Sequence, residues 1–340
     1  MRIGIDIGGT KTEIICLHAE NGKELYRHRV PTPNNDYEGT VKNVAEMVHM
    51  AEETIGKKGT VGVGIPGTVS CVTGLVKNSN SVWLNGQPFD QDLKAAMGKD
   101  VIVQNDANCF AVSEAVDGAG IGKKIVFGVI IGTGCGGGVV IDGKPISGIN
   151  GITGEWGHMP LPYQRVYRRK PNKADDFPVH NPIATEQYEE NAAARGMEYY
   201  APNEKLNEFP GPKCYCGRQG CMETWISGPA FKNDYNRLTG KDLSTHDIIA
   251  QAKKGETEAT AALNRYIDRI ARGLSIITNV LDPDVIVLGG GMSNVSALYT
   301  ELPKVLPKYA FSDTVDTAIV PPRHGDSSGV RGAAWLWNDQ

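Results

Sequence analysis

Two stretches of this chain follow one plan: strand, glycine-threonine turn, strand, hairpin. Residues 2 to 7 alternate as a strand, Gly8-Gly9-Thr10-Lys11 turns the chain, and a second strand from Glu13 to Leu17 runs toward the hairpin turn Asn21-Gly22. Far downstream the plan returns. Ile125 to Ile131, the turn Gly132-Thr133-Gly134-Cys135-Gly136-Gly137-Gly138, the strand Val139-Val140-Ile141 and the pair Asp142-Gly143 repeat it in order. Asn-Gly and Asp-Gly between strands mark two-residue hairpins, because both positions of that turn need positive φ. A repeat of this kind points to two α/β units whose openings follow one plan.

The segments after each repeat make the sheets mixed. Tyr37 to Ile55 carries apolar residues at Val41, Val44, Ala45, Val48 and Ala51, near a 3.6 period, and reads as a helix. Val61 to Ile65 and Val101 to Gln104 are further strands, and Asp106 to Ala115 opens as a helix. In the second half, Thr257 to Leu281 reads as a long helix, Val285 to Leu288 as a strand and Gly289-Gly290-Gly291 as a third glycine turn. The class is α/β. Between these regions lies Leu161 to Lys213, polar, punctuated by proline and rich in tyrosine, which reads as a solvated surface insertion. Asn181, Pro182 and Gly196 suggest one helix inside it.

At 340 residues the chain has room for two cores. A formal net charge of -4 leaves no electrostatic footprint for nucleic acid, and the longest uncharged runs are too rich in glycine to span a membrane. Small molecules are therefore the expected partners. The N-terminus enters a strand directly, with no apolar leader, so a cytoplasmic location is expected. Seven cysteines in such a chain suggest reduced thiols or a metal site. Cys16, Cys71, Cys109 and Cys135 read as core fillers.

Several stretches carry chemistry. Asp106 ends a strand and starts a helix, where open α/β sheets expose side chains to ligands, and is a candidate general base. Helix capping by Asn105 or Asp106 is the alternative reading of the same residues. In Asp6-Ile7-Gly8-Gly9-Thr10-Lys11 a carboxylate precedes a turn whose amides can approach an anion closely, a place for phosphate and for Mg²⁺ held through water. Gly132-Thr133-Gly134 is the matching turn of the second repeat. Gly289-Gly290-Gly291 would let a flat group such as adenine lie on the backbone. Cys214, Cys216 and Cys221 place three thiols within eight residues, a donor set for tetrahedral Zn²⁺ with His158 as the best fourth ligand. With four protein ligands the site would be structural, fixing the nearby carboxylates Glu155 and Glu223 for a polyol.

Taken in order, Asp6 to Lys11, Asn105 to Asn108, the glycine turn at 132 to 138, Gly154-Glu155-Trp156-Gly157-His158, the run Cys214 to Glu223 and Leu288 to Gly291 resemble the ROK family (repressor, open reading frame, kinase) over nearly the whole chain. The resemblance implies the two-domain actin-like ATPase fold, which is ribonuclease H-like, with sugar and MgATP meeting in an interdomain cleft. It divides the chain into 1–117 plus 325–340, with the phosphate turn and Asp106, and 118–324, with the zinc site, the insertion and the adenosine turn. It implies Asp106 as the catalytic base. Asn105, Glu155, His158 and Glu223 become sugar ligands, and His158, Cys214, Cys216 and Cys221 hold structural Zn²⁺. Asp6, Gly8, Gly9, Thr10, Lys11, Gly132, Thr133, Gly134, Gly289, Gly290 and Gly291 serve ATP and Mg²⁺.

Ser81 to Phe89 resembles the segment beside the sugar in bacterial fructokinases and mannokinases of this family. The expected reaction is therefore ATP-dependent phosphorylation of the terminal 6-hydroxyl of a hexose, fructose first, with mannose and glucose as further acceptors. Phosphorylation of N-acetylglucosamine or N-acetylmannosamine is the alternative, and a noncatalytic sugar sensor ranks below both. Family repressors carry a DNA-binding domain ahead of the first glycine turn, and here five residues precede Asp6. A homodimer is the family expectation. From His158 to Cys214 the chain is longer than the family pattern, which sets this member apart.

Overall fold

The structure, a computed structural model, describes residues 1–162, 206, 208–325 and 328–337, with the strand backbones at 166–169, 179–180 and 197–200. In chain order the strands are β1 (Arg2–Ile7), β2 (Lys11–Leu17), β3 (Glu24–Pro31), β4 (Thr60–Ile65), β5 (Thr68–Val69), β6 (Val76–Lys77), β7 (Val101–Asn105), β8 (Ile125–Ile131), β9 (Cys135–Ile141), β10 (Lys144–Pro145), β11 (Val166–Arg169), β12 (Val179–His180), β13 (Met197–Tyr200), β14 (Val285–Gly289) and β15 (Ala318–Val320). The helices are α1 (Tyr37–Ile55), α2 (Phe89–Met97), α3 (Asp106–Val116), α4 (Glu223–Ile226), α5 (Gly228–Thr239), α6 (Thr245–Lys253), α7 (Thr257–Leu281), α8 (Ala297–Val305) and α9 (Ser328–Trp335).

One compact unit comprises Met1–Trp156 and Ile277–Gln340, and it contains both large sheets. Their strand orders are β3-β2-β1-β4-β7 and β10-β9-β8-β14-β15. In each, a three-stranded antiparallel meander is extended by two parallel strands, so the repeat read from the glycine turns extends to the whole sheet. This is the actin-like ATPase architecture. The expected division at residues 117/118 falls between the two sheets, inside this unit.

Local chemistry explains the elements that frame the site. Asp36 caps α1 by accepting from the Gly39 amide, and Gly56 ends it in the left-handed conformation. α3 is different, because every residue from Ala107 to Ala115 is buried. A helix buried on all sides is a core helix. It packs on α9; α3 also covers β8 and β9, and α9 covers β1 and β4. Gly4 and Gly62 receive the backbone of α9, and Gly128 and Gly138 receive that of α3, where a side chain would collide. The buried Glu114 of α3 accepts from Ser328 Oγ at 2.7 Å and from the amides of Ala119 and Arg323 at 2.8 and 3.0 Å. Those bonds compensate the cost of burying a polar carboxyl group and fix α9 to the far end of α3.

The second unit is Gly157–Ile276. The expected surface insertion is anchored at its described ends by buried charge. Arg272 donates to the Pro162 carbonyl and to Glu208, the latter at 2.8 Å, and Arg269 donates to Glu208 at 2.8 Å. Arg269 also pairs with Asp234 and lies over the Trp225 ring. These arginines hold the Glu208 carboxyl below its ordinary range although burial alone would raise it. Inside the insertion, β11 pairs antiparallel with both β12 and β13. The helix expected around Asn181, Pro182 and Gly196 lies outside the described residues. Cys16, Cys109 and Cys135 are buried, as core fillers should be, but Cys71 is exposed. It sits in the turn between β5 and β6, a hairpin too short for its period to show in the sequence.

Candidate active site

β1, β4, β7, β8 and β14 all end at the same side of the first unit, and a cavity of about 490 Å³ opens there. Ligand crevices of α/β sheets form at the carboxyl ends of strands, where turns leave backbone and side chains free. The cavity is lined by Asp6, Gly8 and Gly9 from the first repeat, Asp106 and Phe110 from α3, and Gly290, Ser293 and Asn294 after β14. Pro66, Asn80, Pro321, Pro322, Gly325 and Gly329 complete much of the wall. Of the residues expected from sequence, the cavity thus brings together Asp6, Gly8, Gly9, Asp106 and Gly290.

The remaining glycine-turn residues lie around this group. Gly132 stands next to Gly291, about 4.0 Å from its amide nitrogen once a Cβ is drawn on Gly132. Gly289 ends β14 opposite Ile130 of β8. Thr133 is exposed, and Gly134 accepts from the Gly132 amide at 3.0 Å. In the first turn the Gly8 amide donates to the Lys11 carbonyl at 2.9 Å, so the amides left for an anion are those of Gly9 and Thr10. Thr10 and Lys11 are exposed. Gly290 has φ +78, and a side chain there would strike the Ile131 backbone, so glycine is required where the third turn meets β8.

The turn carrying Asp106 is held from several sides. Asn105 caps α3: its side-chain oxygen accepts from the Ala107 amide at 2.9 Å, and its Nδ2 donates to the Gly67 carbonyl at 3.0 Å. Asp106 is the first helical residue, and its Oδ1 accepts from the same amide at 2.8 Å. The cap read from the sequence is therefore Asn105, which leaves Asp106 to face the cavity. Burial, reinforced by the charge of Glu155, pushes the Asp106 carboxyl up to about 6. Asp6 is pushed up to about 7 by burial and by the charges of Asp106 and Glu13. The Asp106 charge raises Asp6 in the same cavity, and Glu155 raises Asp106, so carboxylates gathered here call for a cation. Asp106, raised to about 6, has the proton affinity of a general base working near neutral pH.

Glu155 is exposed in the first unit, and Glu223 begins α4 in the second. His158, Cys214, Cys216 and Cys221 converge in the second unit, with one ligand atom from each within 4.8 Å of all the others. Cys214 Sγ is 3.6 Å from His158 Nδ1, and the sulfurs of Cys216 and Cys221 are 3.6 Å apart. Bond lengths of about 2.3 Å to sulfur and 2.0–2.1 Å to nitrogen give tetrahedral edges of about 3.5–3.8 Å, so the donor set fits zinc. Burial raises the Cys221 thiol to about 12 and also raises Cys214, whereas the Arg218 amide bonded to Cys216 lowers that thiol. Three thiolates would need a metal ion to coexist here. The His158 ring presents Nε2 to the Tyr215 hydroxyl at 3.0 Å, leaving Nδ1 toward the cluster.

The sequence reading did not single out Asn80, Ser293, Asn294 or the prolines at 321 and 322. Only the last four carry a local signal, since each pair follows a strand end. Trp83, inside the Ser81 to Phe89 segment that resembles fructokinases and mannokinases, packs against the core of the first sheet and donates to Thr40 Oγ1 at 3.1 Å. It does not line the cavity.

A model of the ROK family matches residues 2–340. The N-acetyl-D-glucosamine kinase of Haemophilus influenzae is 38% identical over 99% of both chains, and that of Escherichia coli O139:H28 is 37% identical over 99% of both. Among solved structures, a ROK hexokinase from Thermus thermophilus superposes with a TM-score of 0.77 at 26% identity, covering 98% of this chain and 97% of its own. None of the three is a fructokinase, so the expectation of fructose gains no support from them. Among the described residues no helix is long and apolar enough to cross a membrane.

Proposed function

Because this chain belongs to the ROK family of sugar kinases, we propose that it transfers the γ-phosphoryl group of ATP to the 6-hydroxyl of N-acetylglucosamine. The observation that carries the chemistry is the placement of Asp106 and Asp6 on one cavity ringed by glycine turns. The choice of sugar rests on the two N-acetyl-D-glucosamine kinases, which match along the full length. Fructose, favoured only by the sequence resemblance of Ser81 to Phe89, becomes the second reading.

Asp106 accepts the proton of the 6-hydroxyl as that oxygen forms its bond to the γ-phosphorus. The bond from the γ-phosphorus to the bridging oxygen breaks, and ADP leaves with the electron pair. General-base assistance supplies about 10²–10⁴-fold, so most of the acceleration must come from positioning and charge neutralisation. Mg²⁺, when bound with ATP, neutralises the phosphate oxygens. Asp6 would hold it through water, and the amides of Gly9 and Thr10 would orient phosphate. The turns at Gly132 and Gly289–Gly291 take the rest of the nucleotide. Asn105, Glu155, His158 and Glu223 bind the sugar hydroxyls; His158, Cys214, Cys216 and Cys221 would hold zinc, which would supply a rigid anchor for His158 and Glu223.

Phosphorus NMR of the protein incubated with ATP, Mg²⁺ and N-acetylglucosamine tests the reaction. The expected spectrum gains one phosphomonoester on C6 for each ADP formed. Hydrolysis of ATP to free phosphate, with no sugar ester, would overturn the assignment.

A further inference from the structure

We infer that Gln104 is a positioning residue for phosphoryl transfer, tying the turn that carries Asn105 and Asp106 to the loop that leads to Glu155; this rests on the kinase reading above. Gln104 is half-buried near the end of β7. A glutamine side chain has one acceptor oxygen and two donor hydrogens, and here both ends are used. Its Oε1 accepts from the Asn105 amide at 2.9 Å and from Asn108 Nδ2 at 3.0 Å. Its Nε2 donates to Ser147 Oγ at 3.0 Å. The Asn105 amide can only donate, so the oxygen of Gln104 must face it and the amide end must face Ser147.

Each bond acts on a different part of the site. The first holds the backbone of the residue that caps α3, the second holds the first turn of α3, and the third reaches the loop after β10, eight residues before Glu155. Asn108 is 6% exposed and its Oδ1 already has no partner, so the donor end satisfied by Gln104 is the bonded end of that amide. One side chain therefore sets the base and the segment leading to a sugar ligand in register. Asp6 and the glycine turns of the nucleotide side are outside its reach.

This asymmetry gives the test. With the full-length protein, Gln104→Met keeps the length and removes all three bonds. It is expected to lower kcat about tenfold, as for a slight misplacement of reacting groups. The KM for N-acetylglucosamine rises about fivefold, about 1 kcal/mol, while the KM for ATP stays within about twofold. Ser147→Ala, a change on a loop, raises the sugar KM by a smaller factor, and combining it with Gln104→Met adds nothing further. A merely structural role would lower kcat with the folded fraction and leave both KM values alone. Unchanged sugar KM in both variants, with normal turnover by the unaltered protein, overturns the inference. No turnover by the unaltered protein with any hexose removes the kinase reading and this inference together.

Discussion

Asp106→Asn lowers kcat for sugar phosphorylation by about 10²–10⁴-fold, the range for loss of a general base, while leaving substrate affinities close to their original values. The same change raises stability. Asp106 has a carboxyl pushed up to about 6 in the folded chain by burial and by Glu155, against an ordinary value near 3.8. The folded state therefore holds the proton more tightly than the unfolded one. Its contribution is favourable at low pH and is lost as pH rises from about 4 through about 6. At pH 7 the ionised group costs about 1–3 kcal/mol, reduced where the cavity admits water. Asparagine carries no such charge, so its unfolding midpoint lies above that of the unaltered protein at pH 7 and converges with it below about pH 4. In the unaltered protein, kcat/KM for the sugar at saturating MgATP falls as pH drops through about 6, when the base becomes protonated. Asp106→Asn loses that limb. A variant retaining kcat within about fivefold removes Asp106 as the base.

Cys216→Ser empties the thiol cluster of its metal and destabilises the second unit. Protein purified without chelators is expected to carry about one zinc per chain, and the variant essentially none, because serine is a poor replacement for thiolate in a tetrahedral site. Cys216 is exposed, so the substitution disturbs little packing, and the loss reads out the metal itself. Removing a ligand of a structural site couples directly to folding. A loss of about 2–3 kcal/mol would lower the unfolding midpoint by about 4–12 °C. The sugar KM rises with it, through His158 and Glu223, while the ATP KM is unaffected. Elemental analysis finding no zinc in the unaltered protein rejects the cluster as a metal site.

Much of this organisation is legible in the sequence because it is local. The period of Val41, Val44, Ala45, Val48 and Ala51 predicts α1 with the observed bounds, and the two glycine turns announce a repeated opening, which in the fold begins two sheets of like strand order. Of the four residues that converge on the thiol cluster, three are legible from cysteine spacing, and His158 from its place as the best fourth ligand among the histidines. Other features depend on contacts between distant segments. Nothing in the local sequence says that Gln104 meets Ser147, that Glu114 closes the start of α9, or that Pro162 and Glu208 share Arg272. The Ser81 to Phe89 segment resembles a stretch beside the sugar in fructokinases, whereas in the fold the indole of Trp83 is committed to Thr40 and the core.

Sugar choice is the central claim, and a panel of initial rates tests it most directly. ADP release is measured at fixed MgATP over N-acetylglucosamine, N-acetylmannosamine, glucose, mannose and fructose, with Asp106→Asn as the blank. The account predicts that kcat/KM is highest for N-acetylglucosamine, by at least about tenfold over fructose, a difference of about 1.4 kcal/mol in transition-state binding. A higher kcat/KM for fructose, or ADP release that does not depend on any sugar, would contradict it.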